Sequence, residues 1–375
     1  MRILLFSSST DKYAIPAFWD MVKIVERLAE KVHVLTSFRG EIPDFRGGKV
    51  IKNEFKLLVG ERIALSGLFG RILRYLEHEL RTFLHIYRLR KEADIILSFQ
   101  SVGILAMLLS WLLRRRSISY VGGDPKETLF KGSSAHSTFL ATVSILLWRV
   151  HIHLTTVVVA ISPRIMRDFT MRKKIYYAYV RFLDERFRVI KPLEERGNIL
   201  GYVGRIEDEK GVMKLADAFS SVRQRVDADF LIVGDGALLE QMKRMFSEKE
   251  ILQNATFTGW VSNVHEHLNE MKLLVLPSKT EGFPSVVLEA MACGTPTLAT
   301  PVGDIKSVVR DGFSGFILKS TELSSMSKKI VDLLSKPDQL SKVAENAHTW
   351  VRTNYSSDRI IGQWHHILNE FKTNY

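Results

Sequence analysis

Short apolar runs alternate with helix-period segments along this chain, and the alternation runs twice with a break between. In the first series, strands are expected over residues 3–6, 32–36, 94–98, 117–121 and 156–162. A helix is expected over 17–31, where Met21, Ile24 and Leu28 recur at helical spacing. Gly122-Gly123-Asp124-Pro125 is a strong turn signal after the strand at 117–121. The break falls around 184–198 and holds Lys191-Pro192 and Gly197-Asn198. The second series has strands over 198–203, 229–233, 255–258, 272–276 and 297–300, and helices over 214–225 and 238–249. After 316–318 the pattern is helical almost to the end, with one break at Pro337. Alternation of this kind predicts parallel sheets with helices on both faces. The expected fold class is α/β: two Rossmann-like, doubly wound domains with the active cleft between them. A length of 375 residues suits two domains. The expected boundaries are 1–185 for the first domain and 186–355 for the second, with 356–375 a helix packing back on the first.

The most informative local pattern is Thr280-Glu281-Gly282-Phe283-Pro284-Ser285-Val286-Val287-Leu288-Glu289. It follows the strand that ends at Pro277, so the order is strand, loop, helix. In an open α/β sheet, ligands bind beyond the carboxyl ends of the strands. A helix opening there points N–H groups and a positive dipole end at the crevice, which suits a phosphate. Glu281 lies in the loop and Glu289 in the second helical turn, and carboxylates so placed can accept hydrogen bonds from ribose or sugar hydroxyls. The pattern reads as a nucleotide-sugar site.

A second constellation ends the first strand of the second series: Gly201-Tyr202-Val203-Gly204-Arg205, then Ile206-Glu207-Asp208-Glu209-Lys210-Gly211. Arg205 offers a rigid fork and Lys210 a mobile point charge, and together they can flank a diphosphate. The adjacent acids Glu207, Asp208 and Glu209 allow a plain salt-bridge cluster as well.

With these residues in view, the chain resembles the family 4 glycosyltransferases, retaining enzymes of the GT-B fold. The paired-glutamate segment is similar to that family's hallmark, and Val203-Gly204-Arg205 with Lys210-Gly211 to its diphosphate clamp. Further similar stretches are Val233-Gly234-Asp235-Gly236, Phe257-Thr258-Gly259-Trp260-Val261, Ala292-Cys293-Gly294-Thr295-Pro296, and Val302-Gly303 leading to Asp311-Gly312-Phe313-Ser314-Gly315. The similarity is dense over 198–320 and weak in the first half. The resemblance implies that Arg205 and Lys210 neutralise a leaving diphosphate and that Glu281 sits by the donor sugar. It implies the backbone of the segment Gly282, Phe283, Pro284 and Ser285 near sugar and phosphate, with N–H groups from all but Pro284, Glu289 on the ribose, and backbone near Trp260 and Val261 facing the base. Two departures concern the first half. The family's Gly-Gly loop after the first strand is here Ser7-Ser8-Ser9-Thr10, and its His after a middle strand is replaced by a run into Gly122-Gly123-Asp124. Asp124 is the candidate substitute for that His.

The expected chemistry is transfer of a sugar from a UDP-sugar or GDP-sugar with no cofactor and no metal. Breaking a sugar–diphosphate bond builds charge on the leaving oxygens, and positioned cations and amides can supply the stabilisation. Asp227-Ala228-Asp229 has a metal-binding spelling but precedes a strand, and His265/His267 and His365/His366 lack carboxylates at ligand spacing. Cys293, the single cysteine, falls in an apolar helix pattern and reads as core. It fits a reducing, cytoplasmic setting.

The formal charge of +12 is uneven. Residues 1–190 hold 31 Lys and Arg against 17 Asp and Glu, while 191–375 hold 22 against 24. An acidic partner for the first half is expected. The basic helical stretch 71–90, with Arg71, Arg74, Arg81, Arg88 and Arg90, would ride an anionic membrane surface beside a lipid-linked acceptor. The protein would then be peripheral on the inner face of the membrane. The opening apolar run is too short for a signal peptide, and no stretch reaches about 18 uninterrupted apolar residues. Two rival classes are a nucleotide-sugar epimerase or hydrolase of the same fold and a basic nucleic-acid-binding protein. For the latter, no zinc-finger, RNP or basic-zipper pattern is present.

Overall fold

The computed structural model describes residues 1–7, 15–36, 45, 48–54, 67–100, 103–123, 135–167, 174–181, 183 and 185–374. The chain divides into two compact units, one of Met1–Phe182 with Asp358–Tyr375 and one of Leu183–Ser357.

The first unit holds seven parallel strands: β1 (Arg2–Phe6), β2 (Lys31–Thr36), β3 (Val50–Glu54), β4 (Ile95–Phe99), β5 (Arg116–Val121), β6 (Val157–Ala160) and β7 (Ile175–Tyr177). Their order is β3-β2-β1-β4-β5-β6-β7, so the strand order reverses between β1 and β4. Ile3 lies opposite Val32 on one side and Ile95 on the other. β4 and β6 are buried along their whole length. That is why they read as unbroken apolar runs, as central strands covered on both faces do. Helices α1 (Ile15–Leu28), α2 (Gly67–Leu89), α3 (Ile104–Leu112), α4 (Ala135–Leu154) and α5 (Pro163–Met166) complete this part. α1 stops three residues before the expected end, because Lys31 already pairs with Arg2 in the sheet.

The apolar stretch at 139–161 divides into most of α4 and then β6. No described helix is long and apolar enough to cross a membrane. His151 of α4 is fully buried. Its Nδ1 accepts from the Gly103 amide at 3.2 Å, and its Nε2 lies 3.1 Å from Ser98 Oγ and 3.0 Å from Ser119 Oγ. Burial pushes its pKa down to about 4, so the ring is neutral and ties α4 to β4, β5 and the start of α3.

The last helix of the chain, Ser357–Asn374, belongs to the first unit. Trp364 is fully buried, donates from Nε1 to the Tyr179 carbonyl at 2.8 Å, and tilts against Tyr120. Glu370 accepts from Tyr176 Oη at 2.6 Å and pairs with Lys174. Arg116 donates to the carbonyls of Phe371 and Lys372, where the helix exposes its negative end.

The second unit has six parallel strands: β8 (Ile199–Val203), β9 (Asp229–Val233), β10 (Ala255–Gly259), β11 (Leu273–Leu276), β12 (Thr297–Ala299) and β13 (Phe316–Ile317). Their order is β10-β9-β8-β11-β12-β13, which reverses between β8 and β11. The helices are α6 (Val212–Arg223), α7 (Leu239–Glu248), α8 (Val264–Glu270), α9 (Ser285–Ala292), α10 (Ile305–Val308), α11 (Leu323–Leu334) and α12 (Pro337–Asn354). Pro337 opens α12, where its missing N–H costs nothing. A second break at Tyr355-Ser356 precedes the last helix, so the helical tail has two interruptions rather than one. Phe219, Phe230, Phe246 and Phe257 form a chain of ring contacts at 4.6, 6.0 and 5.3 Å between centroids. Cys293 is fully buried, and burial pushes its thiol up to about 12, as suits a core residue.

Arg196 is the unit's main buried cation, only 4% exposed. It donates to the carbonyls of Lys191 (2.7 Å), Met271 (3.0 Å) and Cys293 (2.7 Å), and to Thr295 Oγ1 (2.8 Å). Burial lowers its pKa to about 10. The guanidinium thereby pins the segment before β8 to the loops around β11 and β12. Arg196→Met should cost about 3 kcal/mol or more in urea unfolding, because several buried carbonyls lose their donor at once. Exposed Arg225→Met should change stability by less than about 0.5 kcal/mol. Equal effects would remove Arg196 from this role.

Candidate functional site

The carboxyl ends of β8 and β11 flank the reversal of strand order in the second unit. In open α/β sheets this is where ligands are bound. Two loops leave these strand ends. The first runs from Gly204 to Gly211 and the second from Pro277 to Pro284.

The loops meet through two glycines. Gly211 has φ +69°, and a β-carbon there would lie 2.3 Å from the Pro277 carbonyl oxygen. Gly303, in the loop after β12, has φ +58°, and a β-carbon would lie 1.9 Å from the Glu281 carbonyl oxygen. Both positions need a left-handed backbone and an absent side chain. Hydrogen bonds add to the clasp. The Lys279 amide donates to the Glu209 carbonyl at 2.9 Å, and Thr300 Oγ1 donates to the Ser278 carbonyl at 2.6 Å.

This brings Lys210 Nζ within 2.8 Å of Glu281 Oε1, with the side chains only 17% and 14% exposed. Ser278 Oγ donates to the same Glu281 oxygen at 2.6 Å. Arg205 is held by its own neighbours: Nη1 donates to Glu207 Oε2 at 2.6 Å, and Nη2 pairs with Glu209. Its carbonyl accepts from buried Tyr202 Oη at 2.6 Å. Burial, first of all, raises the Tyr202 phenol well above its ordinary value, so it stays a donor. Lys279 pairs with Asp208 at 2.7 Å. The salt-bridge cluster suggested by the three adjacent acids therefore exists, and Lys210 reaches past it to the other loop.

α9 opens with Pro284 at its cap and no side-chain cap; the Ser285 amide donates to the Phe283 carbonyl and the Val287 amide to the Pro284 carbonyl, each at 3.0 Å, at the helix end that faces beyond the strand ends. Val287, Leu288, Ala290, Met291 and Ala292 are buried, whereas Ser285, Val286 and Glu289 are half-buried. Ser285 and Glu289, four apart, share the more open helix face. Gly282 is exposed, and Phe283 packs at 6.1 Å from Tyr355. Trp260 and Val261 follow β10, two strands and about 10 Å from β8. Trp260 is 72% exposed, the most open large apolar side chain described.

Asp124 lies outside the described residues, as do Ser8, Ser9 and Thr10. Asp227-Ala228-Asp229 stands at the amino end of β9, the opposite edge from these loops. Among the described residues, no cluster of three or more His, Cys, Asp or Glu could hold a metal. Sequence reasoning did not single out Ser278, Tyr202, Lys279 or Thr300. Ser278 and Thr300 are common residue types whose placement comes only from the fold.

Residues 184–350 match the sequence model of the family described as glycosyl transferases group 1. The N-acetyl-alpha-D-glucosaminyl L-malate synthase of Bacillus anthracis is 26% identical over 365 residues, spanning 91% of this chain and 90% of that one. The GDP-mannose-dependent alpha-(1-6)-phosphatidylinositol monomannoside mannosyltransferase of Mycolicibacterium smegmatis is 28% identical over 41% of this chain and 43% of its own. Among solved structures, Anabaena HepE in complex with UDP and glucose has a TM-score of 0.75 at 16% identity, covering 99% of this chain and 100% of that one. Its likeness concerns the fold.

Gly303→Ala should destabilise the protein by about 1–3 kcal/mol, since it combines left-handed strain with a clash at Glu281. Gly282→Ala, with open space around it, should change stability by less than about 0.5 kcal/mol. Chemical unfolding of both variants decides whether the clasp is as tight as described; a Gly303→Ala protein as stable as wild type contradicts it.

Proposed function

From the premise that this chain is a group 1 glycosyltransferase with two Rossmann-like units of the GT-B kind, we propose that it transfers a sugar from a UDP-sugar or GDP-sugar to a lipid-linked or cell-envelope acceptor. Transfer proceeds with retention, as in family 4, and without a metal. The observation that carries the reading is the Lys210–Glu281 pair, held between the two loops at the strand reversal.

The diphosphate lies against Lys210, Arg205 and the first turn of α9. Lys210 and Arg205 exchange part of their contact with Glu281, Glu207 and Glu209 for phosphate oxygens. Charge that develops on the leaving oxygen is then met by groups already in position. Glu281, carried by Ser278 and Lys210, faces the donor sugar. Gly282, Phe283 and Ser285 lend backbone donors to sugar and phosphate, with Pro284 fixing the turn between them, Glu289 accepts from the ribose hydroxyls, and the backbone at Trp260 and Val261 meets the base. Gly204 leaves room for the diphosphate beside β8. The acceptor hydroxyl attacks the anomeric carbon on the face that the diphosphate leaves. Its proton passes to a departing phosphate oxygen as the old C–O bond breaks and the new one forms. Asp124 stays a candidate on the acceptor side. The protein works in the cytoplasm at the inner face of the membrane.

A second reading concerns the acceptor alone. The relative matched over nearly the whole chain is named for L-malate, which supports a small hydroxy acid as the competing acceptor.

Lys210→Ala and Glu281→Gln should each lower kcat by about a hundredfold or more while the circular dichroism spectrum stays unchanged. Near-normal turnover by either variant overturns the site. A thermal-shift panel of nucleotide sugars names the donor, and product analysis with and without acceptor separates transfer from hydrolysis or epimerisation.

A further inference from the structure

α2 carries apolar residues on two sides: Ile86, Phe83 and Leu89 pack into the core of the first unit, and a second row faces outward. Its side packed into the first unit carries His78, Glu79 and Thr82, all buried, beside Ile86. Leu76, Leu80, Leu84 and Tyr87 instead recur along its outer side, and Leu76 and Leu80 are 56% and 54% exposed. Glu79 fits its buried position by accepting from the Leu105 amide at 2.8 Å, at the opening of α3. The outward leucines have no comparable packing.

The exposed apolar surface continues onto the neighbouring helices. α2 packs against α3, and α3 against α4. Each of the three runs back from the carboxyl edge of the sheet and ends where β4, β5 or β6 begins. Their carboxyl-terminal ends therefore share one edge of the unit. Trp111 and Leu112, at the end of α3, are each 61% exposed; Leu146, also 61% exposed, and Val150 lie about two turns and one turn before the end of α4. Exposed apolar side chains repeated on three helices that pack in series mark a place of interaction.

Cations surround it. Arg88, Lys91, Arg114 and Arg149 are exposed, and the Arg90 guanidinium lies 4.0 Å over the Tyr87 ring. A recess just past the end of α3 is lined by Arg114, Arg115, Arg116 and Lys372 together with Met1, Ile95 and Asp94. The acids of this region are already engaged: Glu77 by Arg81, Glu92 by Lys31 and Asp94 by Arg2. An apolar, aromatic-bearing centre within a positive rim matches the interfacial zone of an anionic bilayer, where leucines and tryptophan enter the acyl boundary and arginines stay with the phosphates. A second copy of the chain fits poorly, because pairing this face with itself sets like charges opposite one another.

We propose that the outer faces of α2, α3 and α4 form a docking surface for an anionic lipid bilayer. The proposal deepens the lipid-linked acceptor read above and rests on it for its purpose, though not for its geometry. It also revises the expectation that arginines of 71–90 make the contact. Arg81 is tied to Glu77 and half-buried, the Arg71 side chain lies outside the description, and the residues facing outward are leucines.

The full chain, mixed with phosphatidylglycerol or phosphatidylcholine vesicles and sedimented, tests this. Wild type should pellet with the anionic vesicles and remain in the supernatant with the zwitterionic ones. The triple variant Leu80→Ser, Leu84→Ser, Trp111→Ser should bind at least about tenfold more weakly, as should Arg88→Glu with Arg114→Glu. All five positions are exposed, and the thermal shift produced by UDP should be the same in every variant, which separates this proposal from the donor site. Wild type failing to bind anionic vesicles, or the triple variant binding as well as wild type, overturns it. So does a dimer, seen by light scattering, that the triple variant dissociates.

Discussion

An ammonium and a carboxylate, Lys210 and Glu281, stand 2.8 Å apart on two loops that leave neighbouring strands in the same direction. Much of the second unit's local architecture serves that separation. Gly211 lets one loop touch Pro277, Gly303 lets a third loop touch Glu281, and Thr300 and Ser278 tie the backbone between them. For a largely buried pair such as this one, the cost of taking both charges out of water offsets much of their attraction, so the net gain in stability is small. So tight a clasp around one pair is therefore hard to explain as stabilisation, and easy to explain as positioning of charges for a ligand that arrives at the strand reversal.

The two units use charge in opposite ways. In the second, each cation near the strand reversal has a carboxylate within reach: Arg205 with Glu207 and Glu209, Lys210 with Glu281, and Lys279 with Asp208. Those three cations face four carboxylates, a local excess of one negative charge, so under the proposed function a diphosphate is held by exchange of partners and by backbone amides rather than by a net positive field. In the first unit, the acids near the ends of α2 and α3 are consumed by other cations, which leaves the rim of an apolar surface positive. The basic excess of residues 1–190 is thus expressed at a surface.

Both sheets were legible in the sequence because their central strands are covered on both faces and so appear as short apolar runs. The two edge strands of the first sheet were not: Val50–Glu54 contains Lys52 and Asn53, and Ile175–Tyr177 is only three residues long. The break at Tyr355-Ser356 carries no Pro or Gly to announce it. At the site, Arg205, Lys210, Glu281 and the opening of α9 could be named in advance, since each sits next to a strand end with Gly or Pro beside it. Which cation would reach which acid could not, because Lys210 and Glu281 are joined only through long-range loop contacts. Which side chains of α2 face outward was not legible for a related reason. Its four arginines stand among six leucines, and the side that a helix buries depends on what packs against it; here buried His78 and Glu79 find partners that periodicity cannot reveal.

The account stands on a diphosphate seated between the loops that follow β8 and β11. A crystal structure of the full chain with UDP at saturating concentration tests it directly. The account predicts phosphate oxygens within hydrogen-bond distance of Lys210 Nζ and of the first-turn amides of α9, with Arg205 turned from Glu207 or Glu209 toward them. UDP bound elsewhere, with the Lys210–Glu281 contact undisturbed and no phosphate beside it, would contradict it.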